Sequence, residues 1–203
     1  MHLPSNSGGD FTPPPAGTHL SICYRVIDLG TQQIDWQGQT KRQHKIMLSW
    51  EIPDEKMEDG RPFTISQRYT FSSSDKSTFR QHLEAWRGAP FKDSDFGPGG
   101  FDVRNLLSKA CLLTIVHKHD NGKTYANIAS VSKPMKGMTV PPLTNETVYF
   151  SLSTFDPAVF GKLSDGLKAV IQKSPEYQEA IRTSNEPPPH SGAPADLNDE
   201  IPF

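Results

Sequence analysis

The 203-residue chain is 34% hydrophobic and 22% charged, with 21 Lys and Arg against 23 Asp and Glu, which suits one domain of ordinary size with some excess. Its longest central apolar run, around Ala110 to Val116, is interrupted by Thr114; a membrane span needs about 20 apolar residues, and no basic-then-apolar start suggests a secretory leader. Cys23 and Cys111 each sit in an apolar run without a paired-ligand spacing, so they are expected as buried free thiols of a reducing, cytoplasmic compartment.

Residues 1–16, with Pro13, Pro14 and Pro15, have the composition of a flexible arm. His19 to Leu29 and Arg42 to Ile52 alternate as strands do. In the second, Ile46, Leu48, Trp50 and Ile52 share one face, and Lys45, Met47, Ser49 and Glu51 the other. A third strand, Phe63 to Ser72, has Phe63, Ile65, Tyr69 and Phe71 on its apolar face. Phe79, Leu83 and Trp86 recur at helical spacing, which predicts a helix over Lys76 to Arg87 with Asp75 as N-cap and Gly88 as its stop. Phe101 to Lys109 is expected to make one or two helical turns. Ala110 to Lys118 and Lys123 to Lys133 then form a hairpin about Asp120-Asn121-Gly122.

Three strands, a helix and a closing hairpin have the connectivity of the OB-fold, a mainly β, five-stranded barrel that often binds oligonucleotides. The barrel is assigned to residues 17–140, with the helix plugging one end. Residues 141–183 follow as an extension packed on it: a short strand near Thr147 to Ser151, then short helices opened by Asp156-Pro157 and Ser174-Pro175. Phe160, Leu163, Leu167, Val170 and Ile171 supply the apolar stripe of that extension. Residues 184–203 form a disordered tail carrying Glu186, Asp196, Asp199 and Glu200 without Lys or Arg, which leaves the body weakly basic. Such asymmetry points to nucleic acid or a basic protein surface as partner.

Catalytic signatures are weak. Gly122-Lys123-Thr124 matches the end of a phosphate-binding loop, but His117 stands where its first glycine is required and a strand follows in place of a helix. His117 and His119 lack the further ligands of a metal site. No metal, cofactor or catalytic residue is assigned, although scattered carboxylates leave a metal-dependent nuclease as one rival and a virion structural protein as another. Binding chemistry is better supported, since single strands need basic grooves and aromatic faces. With Leu20, Ile22, Tyr24 and Val26 inside the barrel, Arg25 points out; Lys45 and Arg68 do so from the next two strands, and Tyr125 from the fifth. Trp36, Lys41 and Arg42 lie in the first loop, and Lys118 and Lys123 in the last hairpin, the two loops between which OB-folds hold ligands. Trp36 stands among Gln32, Gln33, Asp35, Gln37 and Gln39 without apolar company.

The ending Asp196-Leu197-Asn198-Asp199-Glu200-Ile201-Pro202-Phe203 closely resembles the acidic tip, D-D-D-I-P-F, of bacterial single-stranded DNA-binding proteins. The resemblance implies that Phe203, with Ile201 and Pro202, docks into replication or recombination proteins while Asp196, Asp199 and Glu200 meet basic rims. The body is similar to a phage and prophage family of single-stranded DNA-binding proteins, on Ala85-Trp86-Arg87-Gly88, Phe101 to Leu107 and Gly122 to Ile128. That resemblance implies an OB-fold without catalytic activity, acting in replication or recombination in the cytoplasm of a bacterial host. It transfers no DNA contact residue by residue, so the site rests on the faces above. Whether the protein is a homo-oligomer is left open.

Overall fold

A computed structural model describes residues 12–36 and 38–185, without the side chains of residues 36, 184 and 185. The strands are β1 (Gly17–Trp36), β2 (Gln39–Lys56), β3 (Pro62–Thr70), β4 (Ala110–Asp120), β5 (Lys123–Ser132) and β6 (Val148–Phe150). Helix α1 (Thr78–Arg87) lies between β3 and β4, followed by single turns at Asp93–Asp95 and Val103–Leu106; α2 (Pro157–Gly161), α3 (Asp165–Ile171) and α4 (Pro175–Asn185) close the chain. The molecule is mainly β. Its strands form one sheet in the order β3-β2-β1-β4-β5, antiparallel throughout, with β6 added parallel to β1.

The sheet departs from the expected five-stranded barrel. It has six strands, and among the described residues its end strands β3 and β5 share no ladder. Helix α1 packs on both of them, so side chains cover what hydrogen bonds leave open. Its Phe79, Leu83 and Trp86 are buried, as their spacing predicts. Ser77, not Asp75, is the N-cap, accepting from the Arg80 N–H at 3.1 Å, and Gly88 ends the helix at φ 73°, a left-handed conformation glycine adopts without strain.

β1 serves two neighbours along one edge: Gly17–Ile22 pair with β4, and Arg25–Ile27 with β6. Its inward face differs from the expected one. His19 and Ser21 lie opposite Leu113 and Cys111, and Cys23 opposite Trp50, whereas Ile22 lies opposite Glu51 on the other face. A bulge between Cys23 and Arg25 then restores Val26 to the inner face opposite Leu48. One extra residue reverses the alternation, which a strict period of two conceals. Phe71 also departs from its expected place in the core: it is 45% exposed, just beyond the end of β3.

Two apolar clusters result. The first joins Ile46, Leu48, Trp50 and Ile52 of β2 to the α1 stripe and to Leu113, Ile115 and Val131. Burial pushes the Cys23 thiol up to about 12 and raises that of Cys111, so both are neutral and unreactive. The second lies across the sheet, where Ile27, Leu29 and Met47 receive Phe150, Leu152, Leu163, Leu167 and Ile171. The expected outer side of β2 is therefore covered: Met47, Ser49 and Glu51 are all buried. The Glu51 carboxylate accepts from the N–H of Thr144 (2.8 Å), the N–H of Asn145 (2.8 Å) and Asn145 Nδ2 (2.7 Å). These donors compensate its lost hydration and fix the chain leading into β6.

Candidate nucleic-acid interface

Beyond the covered region, β1 and β2 continue as a two-stranded ribbon from Thr31 and His44 to Trp36 and Gln39. Lys41 lies opposite Ile34, and Arg42 opposite Gln33, so alternation sends these neighbouring cations to opposite faces. Both are exposed. The backbone of Trp36 pairs with Gln39, but its side chain, the expected stacking platform, is outside the described residues.

Lys45 lies between Gly30 and Thr70 across the three strands, while Arg68 is two residues before Thr70, opposite Met47. Lys45 and Arg68 thus share a face, as expected. The Lys45 Nζ donates to Gln43 Oε1 at 2.7 Å and Thr70 Oγ1 at 2.8 Å. Arg68 is exposed and lines the same groove as Lys45. Lys76, which sequence reasoning missed, also lines it. The run Ser72-Ser73-Ser74-Asp75-Lys76-Ser77-Thr78 was the available signal, and helix capping accounted for it too readily.

Arg25 does not join an open wall. Although it lies opposite Ser49 on the expected outer face, β6 pairs beside it at Val148. Its guanidinium carbon is 5.3 Å from the Tyr24 ring centroid, and its Nε is buried without a hydrogen-bond partner among the described residues. The extension that carries β6 covers this side of β1, so Arg25 does not stand on the open outer wall that alternation alone predicts.

The β4–β5 hairpin gathers a second group. Lys118 lies opposite Tyr125 and Asp120 opposite Lys123, which puts Lys118, Lys123 and Tyr125 on one face. Both lysines are exposed, and Tyr125 is 48% exposed. The turn is formed by Asn121 (φ 49°) and Gly122 (φ 73°), the two positive angles a tight hairpin favours. At the other face His117 Nε2 lies 2.8 Å from the Pro14 carbonyl, tying residue 14 to the hairpin. The ladder separates the two groups: Ile115 lies opposite Gly17 and Gln39 opposite Trp36, so the hairpin and the ribbon extend past opposite ends of β1.

Among the described residues, six of the cations are held in ion pairs, and none of these six is a candidate site residue. Arg61, Arg80, Arg87, Arg104, Lys168 and Arg182 each reach a carboxylate within 4.0 Å. Among the described residues, Arg25, Lys41, Arg42, Lys45, Arg68, Lys118 and Lys123 make no such pair. Lys41, Arg42, Arg68, Lys118 and Lys123 are also exposed, so their charge is open to an anionic ligand, whereas that of the covered Arg25 is not.

A third polar cluster is structural. His44 Nε2 lies 2.7 Å from Asp28 Oδ1 and its Nδ1 lies 3.8 Å from Glu176 Oε1. Glu176 also accepts from the Thr31 backbone N–H at 2.8 Å and from its hydroxyl. Asp28 takes one ring nitrogen by hydrogen bond and Glu176 faces the other at ion-pair distance, so His44 joins the ribbon to α4. Among the described residues no group of three or more His, Cys, Asp or Glu is placed to hold a metal ion, and no helix is long and apolar enough to cross a membrane. The acidic segment Asp196 to Phe203 lies outside the described residues. No protein-family model matches the chain, and no curated protein matches it either.

Proposed function

We propose that the protein binds single-stranded DNA, largely independently of sequence, as a non-enzymatic coat in phage-type replication or recombination. The observation that carries this reading is the hairpin face on which two unpaired lysines, Lys118 and Lys123, flank the exposed ring of Tyr125. Ammonium groups neutralise phosphates, and an open aromatic ring offers any base a stacking surface. The unpaired Lys41, Arg42, Lys45 and Arg68 form a second basic group towards the other end of β1, and Trp36 remains a stacking candidate. The strand order, with a helix between β3 and β4, supports an OB-type barrel closed by side chains as the underlying class. In the same reading, the acidic tail recruits replication or recombination proteins in the cytoplasm, with Phe203 as anchor.

The test is a titration of fluorescent oligo-dT, oligo-rU and duplex DNA. Preference for oligo-dT, weakening as salt rises and leaving the oligonucleotide intact with Mg2+ present, is the expected result. Cleavage would favour the nuclease rival. Assembly of the protein with no response to any oligonucleotide would favour the virion protein.

A further inference from the structure

Where β3 turns towards α1, Lys45, Arg68 and Lys76 line a groove of about 490 Å3, whose walls include no carboxylate among the described residues. Three cations converging without counter-ions repel one another, and a folded chain holds them together most readily when a ligand supplies the opposite charge. The hydroxyl groups point to the same chemistry. Ser72 Oγ and Ser74 Oγ accept from the backbone N–H of Ser74 and Lys76, so their own protons remain to be donated. The Lys45 ammonium has three donors, of which Gln43 and Thr70 use two.

We propose that this groove is a binding site for a phosphate group, with Lys45 as its fixed ammonium, Arg68 and Lys76 at its sides, and Ser72 and Ser74 donating to the phosphate oxygens. Resting on the nucleic-acid reading above, the proposal gives the ligand as a phosphodiester of single-stranded DNA. Burial lowers the pKa of Lys45 below the ordinary lysine value, the response of an ammonium losing water without gaining a counter-ion. A bound phosphate reverses that response. Phosphate fits better than a carboxylate, because its spread oxygens can accept from three cations and two hydroxyls at once.

Oligo-dT binding is measured by fluorescence anisotropy across a salt series, using the full chain and the Lys45→Gln, Lys76→Gln and Lys136→Gln proteins. Lys136 is exposed in the loop after β5 and serves as the control. Lys45→Gln is expected to weaken binding about tenfold, the cost of one charged hydrogen bond, and to reduce the salt slope by about 0.7, the value for one single-strand phosphate. Lys76→Gln should act in the same direction, and Lys136→Gln should leave both quantities unchanged. Calorimetric titration with inorganic phosphate, against sulfate at matched ionic strength, separates a free-phosphate site from a backbone site. Phosphate heat abolished by Lys45→Gln, with oligo-dT binding unaltered, would retain the groove as an anion site but overturn its assignment to the DNA backbone. Unchanged oligo-dT affinity and slope in a folded Lys45→Gln protein, with no phosphate heat, would overturn the groove while leaving the wider reading intact. If the unaltered protein ignores oligo-dT, that wider reading fails, and the phosphate titration alone decides the groove.

Discussion

His44 makes the stability of the ribbon's base depend on pH. Its hydrogen bond to Asp28 outweighs burial and, with the charges of Asp28 and Glu176, raises its pKa above 6.5. For Asp28 and Glu176 burial acts upward, but hydrogen bonds from His44 and from backbone or hydroxyl donors leave both carboxyls below their ordinary values. The histidine contribution is therefore full below its unfolded pKa of about 6.5 and is lost as pH rises through the raised folded value. The carboxylate contribution is present above about pH 4 and is lost as pH falls through the lowered folded values. His44 raises the thermal midpoint at pH 6 relative to pH 8, against the opposite effect of His82, whose pKa burial lowers, so His44→Gln should shift the pH 6-minus-pH 8 difference downward. An equal difference in both proteins would remove His44 as a contributor. Glu51 acts differently, since no cation pairs with it among the described residues and three N–H donors converge on it. Glu51→Ala should cost about 3 kcal/mol by leaving donors unsatisfied, measurable as a lower urea midpoint, with Glu51→Gln costing less.

At the scale of elements, the amphipathic α1 was legible because its stripe needs no knowledge of distant chain, and the β4–β5 hairpin was legible from Asn121-Gly122. The facing of β1 was not, because the bulge after Cys23 moves the inward position by one residue. Nor was the burial of Met47, Ser49 and Glu51, since alternation tells which residues share a side but not what covers that side. Arg25 was misplaced for this reason, whereas Lys45 and Arg68 lie beyond the cover and kept their expected face. The joint between the ribbon and α4 depends on Gly30, whose φ is 68° and whose added Cβ would stand 2.5 Å from Ser174 Cβ and 2.9 Å from Leu152 Cδ1. Gly30→Ala therefore combines a strained backbone with overpacking, at about 2–3 kcal/mol. Hydrogen exchange should show the largest loss of protection in α3 and α4, while α1 changes little. Uniform loss across the molecule would mean that these helices do not open separately.

At the scale of the whole molecule, the proposed function gives the basic hairpin, the ribbon and the acidic tail separable tasks. Deleting residues 196–203 removes Asp196, Asp199 and Glu200 and leaves every described residue in place. Oligo-dT affinity should hold or rise slightly at low salt, with any rise screened away at high salt, while capture of replication or recombination proteins should fail. Continued capture by the shortened protein without DNA would assign recruitment elsewhere. Nucleic-acid binding by the unpaired cations is tested most directly by the salt slope of oligo-dT binding, measured for the unaltered protein and for Lys118→Gln/Lys123→Gln. The expected result is tight binding at low salt and a slope reduced by about 1.4 in the double variant, about 0.7 for each phosphate that a lysine no longer neutralises. Binding that ignores salt, or an unchanged slope in the folded double variant, would contradict the role assigned to this hairpin.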